Sequence, residues 1–289
     1  MPDPTFSVII PCYNLGQYID EAVDSVLAQT FEDVEIVIVN DGSTDAFTNQ
    51  LLASYTRPKT RVITTENRGV MAARNLAIDN TTGKYISALD ADDKLEPTYF
   101  EKAFEILEAD ESITWVSAWL RMFGDEDWEW KPERCDLVTL LGEQTVCTAA
   151  PVRRSAVAAI GGYDIRMPKM GLEDWEFWIN MAAHGYSGVI LPEVLFQYRA
   201  RAGSLSKKAW FGEYHLELFT FILEKHRAEY DQHVIALLAR KEATFCRVLA
   251  ANYAAGRTID SSLVPLIARK EDELARLESK IASLARPRS

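Results

Sequence analysis

Tyr85-Ile86-Ser87-Ala88-Leu89-Asp90-Ala91-Asp92-Asp93 is the stretch on which the reading of this chain turns. Its first five residues form an apolar run that reads as a buried strand, and three carboxylates follow within four residues. Acids at the C-terminal end of a strand in an open α/β sheet point into the crevice where such folds take ligands. Like charges that close repel by about 1 kcal/mol per pair even in bulk water at ~4 Å. The cluster therefore asks for a cation, and a divalent metal held by carboxylate oxygens answers that need. A merely solvated acidic turn is the plain alternative for the run taken alone.

Working outward, strand and helix patterns alternate. Residues 6–11 are β-rich and apolar, and 16–30 carry Ile19, Ala22, Val23, Val26 and Leu27 as the stripe of an amphipathic helix. Residues 34–39 read as a second buried strand ending in Asn40-Asp41-Gly42-Ser43, and Ser43 or Thr44 is placed to cap a helix running to Tyr55. A short strand at 61–65, a helix at 70–79, the strand at 85–89 and a helix at 97–108 complete the series. This alternation predicts an α/β fold with a mostly parallel central sheet and helices on both faces. Continuously apolar strands agree with burial on both sides.

The middle is less regular. Residues 113–123 read as a strand, 127–130 as an exposed loop, and Ser155 as the cap of a short helix stopped by Gly161-Gly162. A helix is expected at 174–184, with short strands at 189–191 and 194–199. Beyond Leu205 the pattern is helical, at 210–226 and 232–255. Ile267, Leu274, Leu277, Ile281 and Leu284 then recur at spacings of 3 and 4, a short heptad stripe that reads equally as a surface helix or a dimerising coil.

With 31 basic against 43 acidic residues the net charge is −12, and no Lys/Arg block is present, which argues against a nucleic-acid partner. Cys12, Cys135, Cys147 and Cys246 are scattered without a Cys-x-x-Cys or nearby His pair, which argues against structural zinc or a disulfide framework and fits a reducing cytoplasm. The N-terminus lacks a basic leader, and no window approaches the ~18 apolar residues of a membrane span. No Gly-x-Gly-x-x-Gly or Walker A pattern supports a dinucleotide or P-loop site.

Polar clusters recur where the predicted strands end: Pro11-Cys12-Tyr13-Asn14, residues 40–45, Asn67-Arg68-Gly69 with Arg74-Asn75, and Asp90-Ala91-Asp92-Asp93. In a parallel sheet these would line one edge, and their chemistry suits a nucleoside diphosphate. Asp41 can accept from a base N–H and Tyr13 can stack on a ring. Arg68 and Arg74 can face phosphates, although Arg74 reads equally as a helix surface residue. The acid cluster can take ribose hydroxyls and a metal. Further on, Glu173, Asp174 and Glu176 begin a helix, where the macrodipole favours acids for structural reasons alone. Beside a metal–diphosphate site the same position would suit a general base.

Together these clusters resemble the family 2 glycosyltransferases with the GT-A fold. Residues 7–14 resemble that family's opening strand and loop, 38–45 its second-strand motif, and Asn67-Arg68-Gly69 with Ala73-Arg74-Asn75 its third. Asp90-Ala91-Asp92 stands where the family has Asp-x-Asp, Glu173-Asp174 where it has an acid pair, and 198–206 resemble the end of its catalytic domain. The resemblance implies a GT-A domain over 1–206, with a nucleotide-binding half at about 1–110 and an acceptor half at 111–206, followed by a helical region at 207–289. It implies inverting transfer of one sugar from a nucleotide-diphosphate sugar, UDP-sugar favoured, to a hydroxyl of a glycan or lipid-linked acceptor. Pro11, Tyr13, Asn14, Asp41, Arg68, Gly69, Arg74, Asp90, Ala91 and Asp92 would bind the donor, with Asp92 on a Mn²⁺ or Mg²⁺ ion. Asp174 would be the base, beside Glu173.

Two departures stand out. Arg201 stands where some relatives carry a metal-binding His, and would meet a phosphate instead. The Gln-x-x-Arg-Trp motif and membrane helices of processive members are absent, which implies single-sugar addition. Trp128, Trp130, Met170 and Trp175 are candidate acceptor contacts. The C-terminal helices are candidates for homodimer or peripheral membrane contact. A non-catalytic sugar-nucleotide-binding scaffold and a sugar nucleotidyltransferase are the competing functions. The latter wants a Gly-rich basic loop that 11–16 lack.

Overall fold

The computed structural model describes residues 3–201 and 214–254. The first unit, Met1–Gln232, opens with the expected alternation. Its elements are β1 (Phe6–Cys12), α1 (Gly16–Leu27), β2 (Val34–Asp41), α2 (Ala46–Ala53), β3 (Thr60–Thr65), α3 (Val70–Asp79) and β4 (Tyr85–Ala88). Then come β5 (Lys94–Leu95), α4 (Tyr99–Ala109), β6 (Ile113–Gly124), β7 (Glu129–Trp130), α5 (Leu137–Gly142), β8 (Val152–Arg153), α6 (Arg154–Ile160), α7 (Glu173–Ala183) and β9 (Ser187–Ala200). Among the described residues, α8 (His215–Lys225) and α9 (Arg227–Ala254) follow. The second unit is His233–Ser289, described through the helical residues up to Ala254.

One sheet orders the strands β3-β2-β1-β4-β8-β6-β9-β5, with β7 beside β6. β3, β2, β1 and β4 are parallel neighbours, so their C-terminal ends share one edge. β1 and β2 are buried along nearly their whole length, as continuous apolar strands require. The chain runs outward through β1, β2 and β3 and then returns to β4 on β1's other side. Such a reversal opens a crevice at the strand ends, since the two connecting loops leave in opposite directions. Past β4 the sheet turns mixed: β8 is antiparallel to β4 and β6, while β6 and β9 run parallel.

The core is aliphatic along most of β1 and β2, with aromatic clusters at Phe6 of β1 and between β6 and α7. Phe6 stacks on Phe100 of α4 at 4.7 Å, and Trp115 of β6 meets Trp178 of α7 at 5.6 Å. Each fully buried side chain of this size contributes about 1.5–3 kcal/mol of transfer free energy. Cys12, Cys135 and Cys147 are buried free thiols.

Several local expectations need correction. Asp45, not Ser43 or Thr44, caps α2 by accepting from the Thr48 N–H at 2.7 Å. A carboxylate does this as well as a hydroxyl, and it leaves Ser43 and Thr44 to bind the β1 loop. Ser155 lies inside α6, whose N-cap is Arg153, while Gly161 ends it in the left-handed conformation as expected. The two short strands expected at 189–199 are one strand, β9, with irregular register against β6. Trp130 belongs to a strand pairing with β6 rather than to a loop. The expected helix at 210–226 is described from His215 onward, and the stripe from Ile267 to Leu284 lies outside the described residues.

Candidate active site

The crevice is built from loops tied to one another. Asn14, in the left-handed region at φ 56°, donates its backbone N–H to Ser43 Oγ at 3.0 Å. Its side-chain oxygen accepts from the backbone N–H groups of Thr44 and Asp45 at 2.7 and 3.1 Å. The loop after β1 is thereby fixed to the loop after β2. Asp41 ends β2 and is buried, with Oδ1 and Oδ2 accepting from the backbone N–H groups of Arg68 and Gly69, each at 2.9 Å. A carboxylate keeps further lone pairs after two such bonds. Gly42, at φ 63°, lies so near that a Cβ there would stand 2.4 Å from the Asn67 nitrogen. Tyr13 is 43% exposed at the rim, Pro11 is buried beneath it and the Arg68 side chain is exposed.

The acid turn after β4 carries its own counter-ions. Asp90 Oδ1 accepts from Arg74 Nη2 at 2.7 Å, and Asp92 Oδ2 accepts from Arg201 Nε at 2.6 Å. Ala91 is buried between them. Burial raises the Asp92 carboxyl above the usual range and Asp90 adds to this, while the hydrogen bond from Arg201 opposes it. Asp93 is buried and accepts from the Arg199 backbone N–H at 2.8 Å. Arg199 in turn donates from Nε to the Asp92 carbonyl at 2.8 Å, so the end of β9 braces the turn. Among the described residues, no three His, Cys, Asp or Glu side chains form a cage for a metal ion.

Opposite, α7 begins with the acid pair. Glu173 accepts from Arg74 Nη1 at 3.0 Å and from the Gly171 N–H at 2.6 Å. Asp174 Oδ2 accepts from Gln144 Nε2 at 2.5 Å and Thr148 Oγ1 at 2.8 Å, and Oδ1 from the Trp175 N–H at 2.8 Å. Burial, then the Glu173 charge, push the Asp174 carboxyl up to about 6, against the pull of Arg74 and of the two side-chain donors. An acid poised there exchanges protons near neutral pH, as a general base must.

Arg74, expected to face phosphates or to lie on a helix surface, is instead 1% exposed between Asp90 and Glu173, with Tyr163 stacked at 5.1 Å. Of the acceptor candidates, Met170 sits at the start of α3, its sulfur 3.5 Å from the Val70 nitrogen. Trp128 and Trp130 are on the β6–β7 hairpin, Trp128 46% exposed. Trp175 is 2% exposed, donating to the Leu140 carbonyl at 2.6 Å and stacked on Phe219 of α8. Gln144, Thr148 and Tyr163 escape the sequence reading, and Arg199 enters it only as part of the 198–206 stretch. The first two follow α5 in a stretch with no periodicity or motif to flag them.

A mixed sheet with nucleotide-type loops at the strand ends and an acid pair facing them is the GT-A architecture. The family model described as glycosyl transferase family 2 matches residues 7–161, and the chain belongs to that family. The uncharacterized glycosyltransferase MJ1057 of Methanocaldococcus jannaschii is 29% identical over 211 residues, which cover 69% of this chain and 72% of that protein. Glycosyltransferase GlyA of Streptococcus pneumoniae is 38% identical over 105 residues, 36% of this chain. The matched part spans only 15% of GlyA's length. The crystal structure of S. aureus TarS 1-349 in complex with UDP-GlcNAc superposes with a TM-score of 0.63 at 19% identity, over 78% of this chain and 66% of that one, a likeness of fold. No helix among the described residues is long and apolar enough to cross a membrane.

Proposed function

We propose that this chain transfers a single sugar from a nucleotide-diphosphate sugar, UDP-sugar in the first instance, to a hydroxyl of a glycan or lipid-linked acceptor, with inversion. The observation that carries the proposal is Asp174: a carboxylate poised near neutrality whose neighbour Glu173 is joined through one arginine to Asp90 in the strand-end crevice. A UDP-GlcNAc complex of TarS supports the choice of donor.

In this reading Asp41 accepts from a base N–H with the lone pairs its loop leaves, Tyr13 stacks on the ring, and Asp90 takes the ribose hydroxyls. Arg68 and Arg201 face the diphosphate. Asp174 removes the proton of the acceptor hydroxyl as that oxygen bonds to the anomeric carbon. The bond from that carbon to the β-phosphate oxygen breaks, and the nucleoside diphosphate leaves with the electron pair. In-line displacement inverts the carbon, and the base contributes ~10²–10⁴-fold. The family implies a divalent ion, and the residues fit one. Asp92, whose Oδ2 accepts from Arg201, would hold the ion together with donor oxygens, an all-oxygen set that Mg²⁺ or Mn²⁺ accepts. When bound, the ion neutralises charge on the departing diphosphate. We assign catalysis to residues 1–206, and to 207–289 the contact with a second subunit or a membrane edge.

Two measurements test this. Asp174→Asn is expected to abolish transfer while retaining UDP binding; undiminished turnover would remove Asp174 from the chemistry. Thermal shift against UDP, dTDP and GDP, with and without Mn²⁺, is expected to favour UDP with metal. No stabilisation by any of them would overturn the nucleotide site.

A further inference from the structure

Arg74 is a large cation sealed inside the protein, 1% exposed, with both arms of its fork spent on carboxylates. Nη2 donates to Asp90 and Nη1 to Glu173, at 2.7 and 3.0 Å, while Tyr163 covers its face. It thus joins three elements: its own α3, the turn after β4 and the start of α7. We propose that Arg74 is a positioning residue of the transfer site, a fixed strut that holds Asp90 for the donor and Glu173 beside Asp174, and that it does not touch the diphosphate. The proposal rests on the reading of Asp174 as base.

The physics favours arginine here. A guanidinium stays ionised even where burial opposes it, and its planar fork reaches two carboxylates at fixed spacing, which an ammonium cannot. The Asp90 and Glu173 charges hold Arg74 in its charged form despite desolvation. The groups facing Asp174 are Glu173 from α7, Arg74 from α3, the neutral donors Gln144 and Thr148 from the segment between α5 and β8, and the Tyr163 phenol. Arg74 is the one cation among them, so its loss leaves Asp174 facing Glu173 uncompensated.

The test measures kcat/KM against pH at fixed Mn²⁺ for Arg74→Met, Arg74→Lys, Glu173→Gln and the Arg74→Met/Glu173→Gln double variant. Arg74→Met is expected to move the acid limb up by about one pH unit. Arg74→Lys is expected to keep the limb and lose kcat. Glu173→Gln should lower the limb, and the double variant should return it towards the wild type. Should Arg74→Met fail to fold, Arg74→Lys and Glu173→Gln still decide the question. Binding of uridine, UMP and UDP supplies an independent readout. A strut acting through Asp90 weakens all three by the same factor, whereas a phosphate ligand weakens UDP, or UMP and UDP together, and spares uridine. An unmoved limb in Arg74→Met or in Glu173→Gln, or a binding loss that spares uridine, would overturn the proposal. If Asp174→Asn stays active, the base reading fails by itself and the nucleoside series judges the strut.

Discussion

Thr148→Val probes the base by removing one donor without changing the side chain's shape. Thr148 Oγ1 donates to Asp174 Oδ2 at 2.8 Å, a bond made to the charged form. Charge-assisted hydrogen bonds contribute about 1.5–3 kcal/mol, and Gln144 will recover part of that at the same oxygen. A net loss of about 1.4 kcal/mol raises the carboxyl by about one unit, from about 6 in the wild type. The sign follows from the role. A base must be ionised, so activity is lost as pH falls through its pKa, and a higher pKa moves that loss to higher pH. At pH 5.5 the ionised fraction falls about eightfold for a one-unit rise, while at pH 8 it changes by about a tenth. The assay is kcat/KM for sugar transfer between pH 5 and 9, which reports the free enzyme's groups. A limb that stays in place, or an equal loss at every pH, would refute the assignment of Asp174 as the titrating base.

Other outcomes follow from the same coordinates. Gly42→Ala forces a left-handed backbone and brings a Cβ to 2.4 Å from the Asn67 nitrogen. It should cost about 1–3 kcal/mol in urea unfolding, and an unchanged midpoint would contradict the close packing of the Asp41 loop. Glu176 is 1% exposed and accepts from Lys225 at 2.7 Å and His226 at 2.8 Å. Lys225 is only half-buried and keeps Asp164 at 2.8 Å, so Glu176→Gln should cost about 1.5–3 kcal/mol by chemical denaturation; a loss below measurement would show that α8 does not depend on the pair. Arg201→Ala frees Asp92 Oδ2 and should tighten Mn²⁺ binding in calorimetry without donor. Unaltered affinity would separate Arg201 from the metal position.

Much of the donor-side architecture was legible because it is local. The strands announce themselves as apolar runs, and in parallel order they deliver their polar ends to one edge, so 11–14, 40–45, 67–69 and 90–93 converge by topology alone. Caps were less legible, since Ser43, Thr44 and Asp45 are chemically equivalent candidates and only the tie to Asn14 decides among them.

By itself the sequence determined the fold class, the strand-end loops and the acid pair at the head of α7, since period, turn chemistry and helix-start acids are properties of neighbouring residues. Only the tertiary structure decided that Arg74 is a buried bridge, that Arg201 meets Asp92, that Gln144 and Thr148 hold Asp174, and that Trp175 is core. Those contacts join residues 16 to 109 positions apart. Such pairings are set by how layers pack and by which buried charge finds which partner, and no local pattern in the chain records them.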